Sequence, residues 1–156
     1  MDLADLRAEA DRLIFLRFAE PEAWQLGTTL VALAEGLPVV IDIRTPDRTL
    51  FHAALPGSSA DNDRWARRKS ATALLMHKAS LLVGTELRAK GDTLASRGLS
   101  EVDYAEHGGA VPVRVAGVGV VACATVSGLP QLEDHALVIR AMTQLLEQFP
   151  ANRQPC

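Results

Sequence analysis

Hydrophobic residues recur along this chain with two different spacings, which together predict a mixture of helices and strands. Residues 2–12 have a helical pattern, and the apolar run at 13–16 predicts a short strand. A second helix begins at Pro21, and its apolar residues lie three and four positions apart until Gly36 ends it. Alternating residues at 39–43 and 50–55, joined by a turn that contains Pro46 and Asp47, predict a β-hairpin.

A long helix is predicted after the turn-forming segment 56–62, where Asp61 or Asn62 could cap its N-terminus. The segment 71–83, ATALLMHKASLLV, is apolar on almost every side. This is typical of a helix that is buried deep in the core or at a subunit contact. The charged segment 87–103 indicates a broken helix and a surface loop.

A second hairpin is predicted between Val111 and Val126, with Gly117 and Gly119 at its turn. Its second strand is apolar on both sides, so we expect helices on both faces of the sheet. A strand follows the glycines where a dinucleotide-binding fingerprint would need a helix, so they indicate a tight turn. The last helix follows Pro130, and its predicted core stripe is Leu132, Ala136, Ile139, Met142, Leu146 and Phe149.

Composition and charge limit the classes of function. The 156 residues, 48% of them hydrophobic, fit one domain spanning residues 1–156. The formal net charge of −3 argues against nucleic acid as a partner, because proteins that neutralise phosphate backbones usually carry a strongly basic face. Charged residues interrupt the first fifteen positions, and no apolar run reaches the roughly 18–20 residues that span a bilayer. We therefore expect a cytoplasmic protein with no membrane partner, and no structural disulfide between Cys123 and Cys156.

Most of the candidate chemistry lies at one end of the second hairpin. His107 precedes its first strand and Ser127 ends its second, so an antiparallel pairing should bring these two residues together. Glu133, Asp134 and His135 follow in the first turn of the last helix. The helix dipole alone explains the two acids, but His135 could instead join a site with a neighbouring carboxylate.

The predicted long helix carries four basic residues within six positions, namely Arg64, Arg67, Arg68 and Lys69. One interpretation is a solvated helix face on which the Lys69 stem lies along Trp65. The other is an anion site, because guanidinium groups bind carboxylates or phosphates bidentately.

Three groups of residues carry a resemblance to a known family. They are Asn62, Asp63, Trp65, Arg68 and Lys69, then H-G-G at His107, and V-S-G-L-P-Q-x-E-D-H from Val126 to His135. With these motifs the chain, from about Leu13 to Leu146, resembles an uncharacterised-protein family of the heme-degrading-domain (GlcG/HbpS-like) superfamily.

The resemblance implies an α/β (α+β) fold that is profilin-like, with a single antiparallel sheet of about five strands flanked by helices. It also implies assembly into homo-oligomers, and heme binding or breakdown for some members. Heme is therefore a candidate cofactor, although the chain has no cysteine-based heme attachment motif.

Three functions remain open from the sequence. The first is a module that binds heme or another anionic small molecule; its candidate ligand-binding residues are Arg68, Lys69, His107, Ser127, Glu133, Asp134 and His135. The second is an oligomeric structural or partner-binding protein in which the same corner completes an interface. The third is an enzyme that uses His107 or His135 as acid or base. Neither G-x-S-x-G nor H-E-x-x-H occurs, so no reaction class follows, and no metal site is predicted.

Overall fold

The computed structural model describes residues 1–148, which form five α-helices and one five-stranded sheet. The helices are α1 (Leu3–Arg12), α2 (Glu20–Leu33), α3 (Ala60–Met76), α4 (Ser80–Lys90) and α5 (Gln131–Gln148). The strands are β1 (Ile14–Phe15), β2 (Val40–Arg44), β3 (Thr49–Ala54), β4 (Ala110–Val115) and β5 (Gly119–Ser127). Both predicted hairpins are therefore confirmed. No helix within residues 1–148 is long and apolar enough to cross a membrane.

The sheet has the order β1-β4-β5-β2-β3, and three of its four strand pairs are antiparallel. The exception is β1, which pairs in parallel with β4. The expected α+β fold with five strands is confirmed, but the sheet is mixed where a purely antiparallel one was expected. The two-residue strand β1 lies far from β4 in sequence, and α2, β2, β3, α3 and α4 form the long connection that a parallel pair requires.

The two faces of the sheet differ in chemistry. Helices α2 and α5 cover one face, where Ile41, Ile43 and Val113 join the main hydrophobic core with Leu30 of α2 and Met142 of α5. Helix α3 covers the opposite face, where it contacts β2, β4 and β5. Because side chains alternate along a strand, β2 and β5 present short or polar residues to α3, including Asp42, Cys123, Thr125 and Ser127.

The predicted long helix ends earlier than its apolar pattern suggested. Helix α3 stops at Met76, and His77 adopts a left-handed conformation with φ 55°, which residues other than glycine rarely adopt. A separate helix, α4, then begins at Ser80 and continues to Lys90, into the segment that was expected to be broken. The prediction of one continuous helix was wrong, because hydrophobic composition does not report a change of backbone direction.

The predicted core stripe of α5 was confirmed at Met142 and Leu146, which are buried, and wrong at its first two positions. Leu132 is 54% exposed, and Ala136 is exposed as well. The buried residues of the helix are Asp134, His135, Leu137, Val138, Ala141, Met142, Leu145 and Leu146. The helix is rotated about its axis so that Asp134 and His135 face the interior. There Asp134 pairs with Lys69, and His135 contacts Glu9. The predicted stripe position Phe149 lies outside the described residues, as does Cys156.

Candidate functional site

A pocket of about 240 Å³ lies where the first turns of α3 and α5 meet the end of β5 and the segment before β4. Helix α3 contributes Asp61 and Asn62 from its first turn, and α5 contributes Gln131. The complete lining is Asp61, Asn62, Trp65, Lys69, His107, Gly108, Ser127, Gly128, Leu129, Gln131 and Asp134. Two helix N-termini, each carrying a partial positive charge, therefore converge on one mostly polar pocket.

An ion pair with almost no exposure links the elements around this pocket. The Lys69 ammonium lies 3.1 Å from Asp134 Oδ2, and it donates to the carbonyl oxygens of Val126 at 2.7 Å and Gly108 at 3.1 Å. The side chains of Lys69 and Asp134 are both 3% exposed. Three acceptors around Nζ use all three hydrogens of an ammonium group, so Lys69 has no hydrogen left for a ligand.

Burial and the partner's charge shift the pKa values of Lys69 and Asp134 in opposite directions. Burial lowers the pKa of Lys69, while the negative charge of Asp134 partly offsets the effect. Burial likewise raises the pKa of Asp134, against the effect of Lys69 and of two backbone amides. Those amides, Leu129 N–H at 3.0 Å and Gly128 N–H at 3.3 Å, donate to the carboxylate. The pair thus fixes the strand-to-helix corner as well as the start of β4.

The two glycines after His107 make this arrangement sterically feasible. A Cβ at Gly109, whose φ is 135°, would lie 2.5 Å from Lys69 Nζ and would also overlap the Val126 carbonyl. A Cβ at Gly108 would lie 2.6 Å from the carbonyl oxygen of Gln131. The H-G-G motif therefore lets the backbone approach the buried lysine and the N-terminus of α5.

An aromatic and cationic group forms the rim. The ring centroids of Trp65 and His107 are 4.9 Å apart in an edge-to-face arrangement, and Arg68 Cζ lies 4.4 Å from the centre of the Trp65 ring. Arg68 Nη2 also donates to the Tyr104 carbonyl at 3.4 Å. Arg68 is therefore held against the tryptophan and does not line the pocket, while His107 is exposed at its mouth.

Ser127 provides the pocket with an unused polar group. The residue is only 3% exposed, and it lines the pocket at the end of β5. Its hydroxyl forms no hydrogen bond within residues 1–148, and it is not one of the polar atoms that are fully buried without a partner, so it is accessible from the pocket. A ligand or solvent in the pocket is what this hydroxyl can bind.

Four of the seven predicted ligand-binding residues meet at this pocket, namely Lys69, His107, Ser127 and Asp134. Arg68, Glu133 and His135 are not among the residues that line it. The expected proximity of His107 and Ser127 follows from the antiparallel pairing of β4 with β5. Whether any of these residues binds a ligand stays a prediction.

His135 points away from the pocket into a separate buried contact. Its Nε2 atom lies 2.6 Å from Glu9 Oε1 of α1, and the His135 side chain is 2% exposed. Its Nδ1 atom is buried without a partner within residues 1–148. The residue therefore ties α5 to the N-terminal helix, a contact across 126 positions that no local pattern indicates.

Seven lining residues were not site candidates from the sequence, and the four of them with polar or aromatic side chains are Asp61, Asn62, Trp65 and Gln131. Asp61 was considered only as a helix cap, and Asn62 as a cap and as part of the motif that carries the family resemblance. The helix in fact begins after Ser59, whose N–H donates to Asn62 Oδ1 at 2.9 Å. Gln131 accepts the Gly108 N–H at 3.0 Å and so joins the two segments that carry H-G-G and S-G-L-P-Q. The signal that could have identified Gln131 is the predicted proximity of these two motifs at one end of the hairpin.

Comparison with known proteins agrees with this architecture. Residues 18–143 match the family described as "Haem degrading protein HbpS-like". A UPF0303 protein from Streptomyces coelicolor is 50% identical over 147 residues, which cover 92% of this chain and 93% of that protein. The crystal structure of the Ybr137w protein is 32% identical, with a TM-score of 0.84 over 95% of this chain and 89% of that one.

A heme-bound protein shares the fold. The crystal structure of a PduOC–heme complex has a TM-score of 0.68, covers 81% of this chain and 93% of its own, and is 20% identical to this chain. At that identity the likeness concerns the fold alone. Within residues 1–148, no group of three or more histidine, cysteine or acidic residues is arranged to hold a metal ion.

Proposed function

This chain belongs to the HbpS-like family of haem degrading proteins, and we propose that it binds a compact small molecule carrying a carboxylate in the pocket between α3 and α5. The observation that carries the proposal is the Ser127 hydroxyl, which lines the pocket and has no hydrogen-bond partner in residues 1–148. Carboxylates are favoured because the N-termini of two helices of 17 and 18 residues converge there.

The other polar groups of the pocket narrow the ligand class. Asp61 offers a carboxylate at the first turn of α3, which would accept a hydrogen bond from a hydroxyl or amine. The Asp134 carboxylate is already neutralised by Lys69. Together with Ser127, these groups suit a compact hydroxy acid, whose carboxylate would accept from Ser127 and the helix N-termini and whose hydroxyl would donate to Asp61. The volume of about 240 Å³ is below the about 300–1,000 Å³ typical of drug-sized ligands, so the ligand is small.

Heme is the ligand that the family description suggests, and the pocket does not fit it. The lining is mostly polar, whereas a porphyrin needs an apolar slot larger than this volume. Of the two cations expected to meet its propionates, Lys69 already has three acceptors, and Arg68, which packs on Trp65, does not line the pocket. Hemin therefore serves below as a competing probe.

The test is calorimetric titration of the full chain with L-malate as a hydroxy carboxylate, inorganic phosphate, glycerol and hemin. We expect L-malate to bind, glycerol not to bind, and Ser127→Ala to weaken L-malate about tenfold through loss of one hydrogen bond to a charged group. His107→Gln tests the rim, and His77→Gln, an exposed histidine outside the pocket, is its control.

Ser70→Ala is the matched control for Ser127. Ser70 is also buried on the α3 face, but its hydroxyl already bonds the Ala66 carbonyl and Thr125 Oγ1, both at 2.7 Å. This variant should lose stability and keep L-malate affinity. Equal affinities for wild type and Ser127→Ala would contradict the proposal. A hemin Soret shift that depends on His107, without L-malate binding, would contradict the compact ligand.

A cytoplasmic location and a homo-oligomer are further parts of the proposal. The apolar, exposed side chains of Trp24, Leu75 and Val102 give surfaces on which copies could meet. Sedimentation velocity at several concentrations tests the assembly, and a single monomeric species would contradict it.

A further inference from the structure

A second charged cluster lies on the same face of the sheet, beside the pocket. His52 of the edge strand β3 is bracketed by two carboxylates, with Nδ1 2.8 Å from Asp42 Oδ2 and Nε2 2.8 Å from Asp63 Oδ1. Arg44 holds Asp42 through two hydrogen bonds of 2.5 and 2.8 Å. The cluster therefore joins β2 and β3 to the first turn of α3.

The geometry shows which charge state of His52 would satisfy both carboxylate contacts at once. Ionised carboxylates only accept hydrogen bonds, and a neutral imidazole has one N–H and one bare nitrogen. A bare nitrogen at 2.8 Å from a carboxylate oxygen would place two lone pairs in contact. Both contacts are satisfied together only when His52 carries both protons and a positive charge.

The His52–Asp63 contact lies next to residues that line the pocket. Asp63 is in the first turn of α3, next to Asp61 and Asn62, which line the pocket. Strand β3 is at the edge of the sheet, and β2 is the strand that pairs with it. The His52–Asp63 contact therefore links the edge strand to the turn that forms one side of the site.

We propose that His52 is a positioning residue, whose protonation clamps the first turn of α3 and thereby sets ligand affinity in the pocket. This role rests on the proposed function of the pocket, whereas the clamp itself does not. The charged groups that face the His52 ring are Asp42 and Arg44 from β2 and Asp63 from α3. Helix α2 packs on the other side of β3, against the neighbouring Phe51.

The direction of the response follows from the exposure of the two carboxylates. Asp42 is 1% exposed and held by Arg44, whereas Asp63 is 38% exposed and can be rehydrated. When His52 loses a proton, it keeps the N–H that faces Asp42 and releases Asp63. The clamp is closed at low pH, when His52 carries both protons, and it opens as the pH rises and His52 loses one.

Hydrogen exchange followed by NMR tests the clamp without any ligand. The NMR shifts of the His52 ring nitrogens report its charge directly and are followed from about pH 5 to 8, the range in which histidines change charge. Protection factors of amides 62–68, corrected for intrinsic exchange, should fall about two- to fivefold as His52 loses its proton, the effect expected of a half-exposed ion pair. Amides of α4 serve as the internal control. Unchanged protection of 62–68 overturns the clamp.

Two substitutions at one position separate the charge from the contact. Asp63→Asn can turn its amide to accept from a charged His52 or to donate to a neutral one, so protection should stay high at both pH values. Asp63→Ala has no group to bond, so protection should be low at both. A wild-type pH response retained in Asp63→Asn would overturn the proposal.

L-malate affinity then tests the link to the site. Wild-type affinity should weaken about two- to fivefold over the same pH range, and Asp63→Asn should show no such change. If protection follows His52 while L-malate affinity stays constant with pH, the clamp does not control the site. If L-malate binds at no pH while protection still follows His52, the ligand proposal fails and the clamp stands.

Discussion

The two faces of the sheet are stabilised in different ways. Beneath α2 and α5, Ile41, Val113 and their neighbours form a continuous apolar core. Beneath α3, the corresponding space holds a buried lysine, two buried aspartates and several hydroxyl groups. Apolar packing tolerates changes of similar volume, whereas a polar interior tolerates few changes because each group depends on its partner. The candidate site and the His52 cluster both lie on the polar face.

The largest expected effect comes from breaking the buried ion pair on the polar face. Lys69→Met leaves the Asp134 carboxylate buried without its cation and removes a donor from the carbonyls of Gly108 and Val126. We expect unfolding free energy to fall by about 3–5 kcal/mol in urea titrations. The control is Lys78→Met, whose half-exposed lysine pairs with Glu86 and should lose less than about 1 kcal/mol. Similar losses of unfolding free energy in Lys69→Met and Lys78→Met would contradict the claim that the buried ion pair contributes more to stability than the exposed one.

An intermediate effect is expected where α2 packs on the apolar face. A Cβ at Gly27 would overlap the ring of Phe51, so Gly27→Ala should cost about 1–3 kcal/mol of unfolding free energy. In a Phe51→Ala background the ring is gone, and the same change should stabilise by up to about 1 kcal/mol because alanine favours helices over glycine. Urea unfolding of the four proteins in this double-mutant cycle measures both values. If Gly27→Ala changes the unfolding free energy in the same direction with and without the Phe51 ring, contact with that ring does not explain why residue 27 is a glycine.

The smallest effect is expected at a surface ion pair on α4. Burial alone would raise the pKa of Glu86, but hydrogen bonds from Lys78 and Arg7 outweigh it and lower the pKa. A carboxylate with a lowered pKa in the folded state stabilises the protein above its unfolded pKa, about 4.3 for glutamate, and loses this contribution as the pH falls.

Melting temperatures of wild type and Glu86→Gln should therefore differ at pH 7 and converge toward about pH 3. The variant should be the less stable protein at pH 7. A difference that grows as the pH falls would show that the ion pairs do not lower the pKa of Glu86.

The sequence was most informative on the apolar face. Alternating apolar residues predicted both hairpins, and antiparallel pairing was enough to bring Ser127 and His107 to one pocket. Resemblance to a family supplied the fold class. The polar face was harder, because Lys69 finds its partners 39, 57 and 65 positions away. Residue periodicity carries no information on such pairings.

The wrong predictions have the same physical origin. The break at His77 depends on one backbone dihedral angle, which an apolar run does not reveal. The orientation of α5 about its axis was misjudged because Asp134 and His135 were interpreted as helix-dipole or ligand-binding residues and were left out of the predicted core stripe. Their burial is stabilised by Lys69 and Glu9 from distant segments. His135 was consequently assigned to the site, although it contacts α1.

A crystal structure of the full chain with L-malate would test the central claim most directly. The account predicts the ligand in the pocket between α3 and α5, with a carboxylate oxygen within hydrogen-bond distance of Ser127 Oγ and with the Lys69–Asp134 pair intact. A pocket that holds only water at saturating L-malate, or a ligand bound elsewhere, would contradict it.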